Sequence, residues 1–116
     1  MPRVSELIRE RLLADVPERL PDLDALRRSE WSPEFESLMR NRLIMGAIRY
    51  GRLLVPGKAK YDRVASMMKR LAQYQKDHNA EHLVDVANIA LIEFVEGDHD
   101  GVIAVDDSKH HAQRKD

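Results

Sequence analysis

Residues 80–96 constrain the fold more than any other stretch of this 116-residue chain. They carry Leu83, Val84, Val86, Ala87, Ile89, Ala90, Leu91, Ile92, Phe94 and Val95. At helical spacing these side chains leave the axis in nearly every direction, and a helix of that kind is stable only when neighbours surround it. An all-α bundle with 80–96 at its centre is therefore predicted. The segment falls short of the about 20 apolar residues that cross a bilayer. Its polar interruption is narrow: Glu81, Asp85 and Asn88 lie within about 60° of one another. Gly97 ends it.

Two neighbours are legible. Ser32-Pro33-Glu34 supplies an N-cap, a proline at the first helical position and an acid in the first turn. That helix is expected to run to Tyr50 and stop at Gly51. Phe35, Leu38, Met39, Leu43, Met45 and Gly46 form its apolar stripe, and Arg42 and Arg49 fall inside the stripe. Pro56-Gly57 marks a turn. A further helix over 61–77 places Val64, Ala65, Met68, Leu71 and Ala72 on one inward face, with Lys69 at its border and Arg63 and Arg70 pointing away. Asn79 can cap the helix that follows.

The first third is thinner in apolar residues. Ser5 can cap a short amphipathic helix over 5–14, Pro17 and Pro21 interrupt it, and Asp22 can cap another short helix through Leu23, Leu26 and Arg28. Trp31 is expected to pack on the start of the helix that follows Ser32. Residues 1–97 thus read as a single helical domain, with 1–31 an arm and 32–97 the main bundle, and 98–116 as a loose polar tail. Three main helices leave a bundle one short of closure, which predicts a homodimer or larger assembly.

Charge is segregated. Residues 38–76 hold ten bases and one acid, a net of +9, whereas 77–107 hold nine acids and no base. Opposite segments of this kind neutralise each other on folding, or together hold a ligand of both signs such as a polyphosphate with its Mg²⁺. The basic run has an acidic neighbour and aromatic residues are only 5% of the chain, which argues against nucleic-acid binding. With no cysteine, thiol nucleophiles, disulfides and Cys-ligated zinc are excluded. No signal-peptide pattern opens the sequence, and a cytoplasmic protein with no membrane segment is expected. Neither a P-loop, a Gly-x-Gly-x-x-Gly turn nor a Gly-x-Ser-x-Gly elbow occurs. His99, His110 and His111 with their neighbouring aspartates have metal-ligand composition but no zinc spacing.

Candidate chemistry gathers at two places. Glu81 and Asp85, four apart with Asn88 beyond, project side by side and can share a hard cation such as Mg²⁺ or Mn²⁺. The alternative is an internal ion pair between Asp85 and Arg42 or Arg49. Those two arginines on an apolar stripe suit a phosphate, because a guanidinium binds two oxygens at once, and Lys69 joins them as a candidate phosphate-binding cation. No catalytic residue is assigned.

Three sequence elements recur in a familiar order: Gly46-Ala-Ile-Arg-Tyr-Gly51, then Tyr61-Asp62 with Met68-Lys-Arg-Leu71, then Asn79-Ala-Glu-His-Leu-Val-Asp-Val-Ala-Asn88. Over residues 38–95 the chain resembles the phage-encoded branch of the MazG-like all-α nucleoside triphosphate pyrophosphohydrolases, the dATP/dGTP diphosphohydrolase-like group above all. The resemblance implies an oligomeric helical bundle that binds Mg²⁺ through acids on two helices and splits a nucleoside triphosphate into monophosphate and pyrophosphate. The family's Glu-x-x-Asp is here His82-x-x-Asp85, its Glu-x-x-Glu is replaced by Glu34-x-Glu36, and no acid lies between Ser37 and Tyr61. A degenerate member that binds a nucleotide without cleaving it is the second form of this expectation. A non-catalytic helical interaction protein, phage-derived, is the alternative.

Overall fold

The computed structural model describes residues 22–103, and all regular structure among them is helical. The helix expected over 5–14 and the tail beyond 103 lie outside the described residues. Four helices follow one another: α1 (Leu23–Ser29), α2 (Pro33–Tyr50), α3 (Arg63–Asp77) and α4 (Glu81–Glu96). The fold is an all-α bundle, and no helix among the described residues is long and apolar enough to cross a membrane. Ser32–His99 forms one compact unit, whereas α1 belongs to another. In α1 the Asp22 carboxylate accepts from the Asp24 amide at 3.0 Å. Trp31, expected to be packed, is exposed.

Helix ends follow side-chain chemistry. Ser32 Oγ accepts from the Phe35 amide at 3.0 Å, with Pro33 behind it, and opens α2. Gly51 closes it at φ +100°, a conformation that strains any residue with a Cβ. α3 begins at Arg63, two residues later than its periodicity suggests, because the Asp62 carboxylate caps the Ala65 amide at 3.0 Å. His78, at φ +53°, ends α3 by donating its amide to the Tyr74 carbonyl. Asn79 Oδ1 then takes the Glu81 amide at 3.0 Å in a turn just ahead of α4, whose N-cap is Ala80. With only residues 78–80 between them, α3 and α4 form an antiparallel hairpin.

The centre lies where 80–96 predicts it. α4 packs against both α2 and α3, far more than those two pack on each other. Val84 and Asn88 of α4 are the only buried residues among those described. Burial is far from uniform around α4, however: Leu83 and Phe94 are exposed.

α3 docks with the face opposite to the one its apolar pattern indicates. Val64, Met68 and Leu71 point outward and are exposed. Arg63, Met67 and Arg70 face α4 instead. The reason is charge. Arg63 reaches Glu93 at 3.3 Å and Glu96 at 2.9 Å, and Arg70 reaches Asp85 at 3.6 Å. Arginines seven apart on α3 thus match acids aligned on one side of α4, and these pairs set the rotation of the helix.

Glu96 is the hub of the network. Its carboxylate accepts from Lys58 Nζ and the Leu54 amide, both at 2.8 Å, as well as from Arg63. The Lys58 bond first, then the Leu54 amide, hold its carboxyl below the ordinary carboxylate range. The same contacts tie the 51–62 loop to the end of α4, with Leu54 at φ +64°.

Candidate functional site

Because α2 and α3 both lean on α4 and pack little on each other, an open groove remains between them with α4 as its floor. It encloses about 590 Å³. Leu43 and Ala47 of α2 with Ile89 and Ile92 of α4 give it an apolar base. Arg42 and Arg49 of α2, Arg52 and Lys58 of the following loop, and Arg70 of α3 give it a cationic wall. The one carboxylate among the lining residues is Asp85.

Arg42 stands over α4 with Nη1 3.3 Å from Glu81 and Nη2 3.6 Å from Asp85. The second oxygen of Asp85 faces Arg70 Nε at 3.6 Å. At these distances the contacts are ion pairs rather than well-formed hydrogen bonds, and Arg42 and Arg70 remain partly open to the groove. Arg49 has no acidic partner among the described residues, and its guanidinium lies 5.8 Å from the Tyr50 ring centroid. It is a cation available to a ligand.

Asn88 is 6% exposed. Its amide nitrogen donates to the Met39 carbonyl at 3.1 Å, which fastens α4 to α2. Its Oδ1 is buried and has no hydrogen-bond partner. A buried acceptor left empty is costly, by about 1–3 kcal/mol.

Four of the residues singled out by sequence, Arg42, Arg49, Asp85 and Asn88, therefore line one groove. Glu81 sits at its edge, half-exposed and held by Arg42. Lys69 does not join them; it is exposed on α3 and forms no part of the groove. Sequence reasoning missed Arg52, Lys58 and Arg70. Arg70 could have been found from its seven-residue spacing to Arg63, which places both on one side of α3.

Glu81, Asp85 and Asn88 are the metal ligands the sequence offers, and their neighbours bear on that role. Mg²⁺ takes six oxygen ligands in near-octahedral geometry. Both oxygens of Asp85 face guanidinium groups, and Glu81 faces one as well. Two arginine charges beside the same carboxylates repel a divalent ion, and Asn88 Oδ1 alone is no cage. No group of three His, Asp or Glu able to hold a metal occurs among the described residues. This donor set does not fit a resident Mg²⁺; it fits an anion. No known protein family, curated protein or solved structure matches the chain.

Proposed function

We propose that the groove binds a nucleoside phosphate and that the chain is a degenerate, nucleotide-binding relative of the MazG-like pyrophosphohydrolases. The observation that carries this reading is the composition of the groove: five cationic side chains and one carboxylate around an apolar floor. Phosphate oxygens would bridge Arg49 and Arg52 and compete with Asp85 for Arg42 and Arg70, where the guanidinium fork matches two oxygens at once. The base would lie over Ile89 and Ile92. Any Mg²⁺ or Mn²⁺ would arrive on the phosphates. Binding without hydrolysis is expected because the acid pairs that the resemblance implies are incomplete, with Glu34-x-Glu36 in place of Glu-x-x-Glu and His82-x-x-Asp85 in place of Glu-x-x-Asp.

The test is a panel of ribo- and deoxyribonucleoside triphosphates, titrated calorimetrically with Mg²⁺, Mn²⁺ or EDTA, with pyrophosphate release followed in the same samples. Saturable binding without pyrophosphate is expected. Arg49→Ala should weaken binding about tenfold while leaving stability within about 0.5 kcal/mol, as for other exposed substitutions. Pyrophosphate release would restore the catalytic form of the family expectation. No binding of any nucleotide at millimolar concentration would overturn the proposal.

A further inference from the structure

Two of the five groove cations, Arg52 and Lys58, stand on the 51–62 loop rather than on a helix. The loop has little backbone structure of its own. Among the described residues its one internal backbone bond runs from the Val55 amide to the Arg52 carbonyl, at 3.4 Å. Leu54 stands at φ +64°, a conformation that a residue with a Cβ keeps only where its surroundings enforce it. Here one carboxylate oxygen enforces it. Glu96 Oε2 accepts from the Leu54 amide and from Lys58 Nζ, both at 2.8 Å. Lys58 Nζ also donates to the Arg52 carbonyl at 3.1 Å, so the same oxygen holds Arg52 at one remove. The other oxygen, Oε1, is fixed by Arg63 of α3 at 2.9 Å. Glu96 itself is 10% exposed and lies outside the groove. It sits in a second cavity of about 500 Å³, between the loop and the end of α4, and Lys58 borders both.

We propose that Glu96 is a positioning residue for the groove: without touching the ligand, it holds Arg52 and Lys58 where phosphate oxygens meet them. This deepens the nucleotide reading of the groove and rests on it. Charge-assisted hydrogen bonds are the strong ones, and those from Lys58 and Arg63 lock the carboxylate before any ligand arrives. An ammonium has three donors; Glu96 and the Arg52 carbonyl take two and leave one for a phosphate. Long side chains held in advance bind without the ordering cost that free ones bring, and a site built on a loop depends on such support. The sign of the effect sets this role apart from a simple charge effect. By Coulomb's law, removing a carboxylate near a cationic wall strengthens anion binding; losing the anchor of the wall weakens it. Glu93 is the matching control. It stands one turn before Glu96 and pairs with Arg63 at 3.3 Å. It makes no hydrogen bond or ion pair to the loop among the described residues.

The test uses inorganic triphosphate, which carries the phosphate charge of a nucleotide without its base, titrated calorimetrically into the full chain in EDTA. Glu96→Ala should weaken binding about tenfold, the cost of ordering two long side chains on association. Glu96→Gln, which keeps an acceptor oxygen for the Leu54 amide and Lys58, should fall between Glu96→Ala and wild type. Glu93→Gln should bind as wild type or slightly tighter. Amide hydrogen exchange gives the second readout: in Glu96→Ala the Leu54 amide should exchange faster, with the amides of α2 and α4 as protected as before. Should Glu96→Ala lose helix protection, Glu96→Gln against Glu93→Gln decides. Equal or tighter binding in folded Glu96→Ala and Glu96→Gln would overturn this inference alone, as would an unchanged Leu54 amide in folded Glu96→Ala. A wild type that binds no triphosphate, or binds it undiminished in Arg49→Ala, would overturn the reading of the groove and this inference with it.

Discussion

On the groove side of the α3–α4 hairpin, and along the seam between its helices, Arg42, Arg63 and Arg70 meet Glu81, Asp85, Glu93 and Glu96. On the other side Val64, Met68 and Leu71 are exposed, and the Phe94 ring lies 5.7 Å from the His99 ring. The two sides divide the work of folding differently. Hydrophobic attraction is non-directional and does not say which apolar stripe of α3 should dock. Ion pairs between groups fixed on two helices do specify a rotation, and they leave the more hydrophobic stripe free. Charge selects the arrangement of the hairpin, and the more apolar stripe of α3 stays exposed.

The strongest way to break this division is to reverse the charge that sets the rotation of α3. Arg63→Glu would face Glu93 and Glu96 across the hairpin with its side chain largely enclosed, since Arg63 is 18% exposed there. We expect a loss of about 3 kcal/mol, the scale on which breaking a largely enclosed pair destabilises a fold, measured by urea unfolding. A change below about 0.5 kcal/mol would mean that apolar packing holds α3 and that the ion pairs are incidental.

The same comparison explains what the sequence made legible. Helix ends were readable at Ser32 and Gly51 because capping is local chemistry; the N-cap of α4 is Ala80, one residue past the expected Asn79. The central place of α4 was readable because apolar residues all round a helix have one solution. Arg42, Arg49, Asp85 and Asn88 stood out as polar groups on otherwise apolar surfaces, and the structure brings them together. The docking face of α3 was not readable from its own pattern, since a strongly amphipathic helix is normally turned apolar side inward. Only the match between Arg63 and Arg70 on one helix and Asp85, Glu93 and Glu96 on the other decides it, and that is a relation between segments. Lys69 was misplaced for the same reason: once α3 is rotated, it leaves the groove.

A smaller effect probes the groove side without touching charge. Gly46 lies within α2 and lines the groove, and a Cβ built there meets nothing within 4 Å. Gly46→Ala should therefore raise stability by about 0.5–1 kcal/mol, the usual difference between the two residues inside a helix, read from thermal melts. Gly51→Ala, at φ +100°, should move the melting temperature the other way. If both changes act in the same direction, the end of α2 is not held where the groove requires it.

The smallest effect is a dependence on acid that distinguishes the two ends of the hairpin. At the open end, Glu96 is held below its ordinary range by the Lys58 and Leu54 bonds and the nearby Arg63. At the closed end, Asp77 is held low by the Asn79 amide first and then by His82, 2.9 Å away. Each is a carboxylate with a depressed folded value, so the sign is the same for both. The stabilisation is fully present above the unfolded values, about 4.3 for Glu and 3.9 for Asp. It is lost as pH falls below them toward the folded values, because the unfolded chain takes up the proton first. Melting temperatures between pH 6 and pH 3 should thus fall less steeply in Glu96→Gln than in wild type. Asp77→Asn should flatten the curve less, since Asp77 ties only the tip of one hairpin, whereas Glu96 joins the loop, α3 and α4. A steeper dependence in Glu96→Gln would show that its carboxylate is not the hub that fixes the loop, and the charged side of the hairpin would lose its anchor at that end.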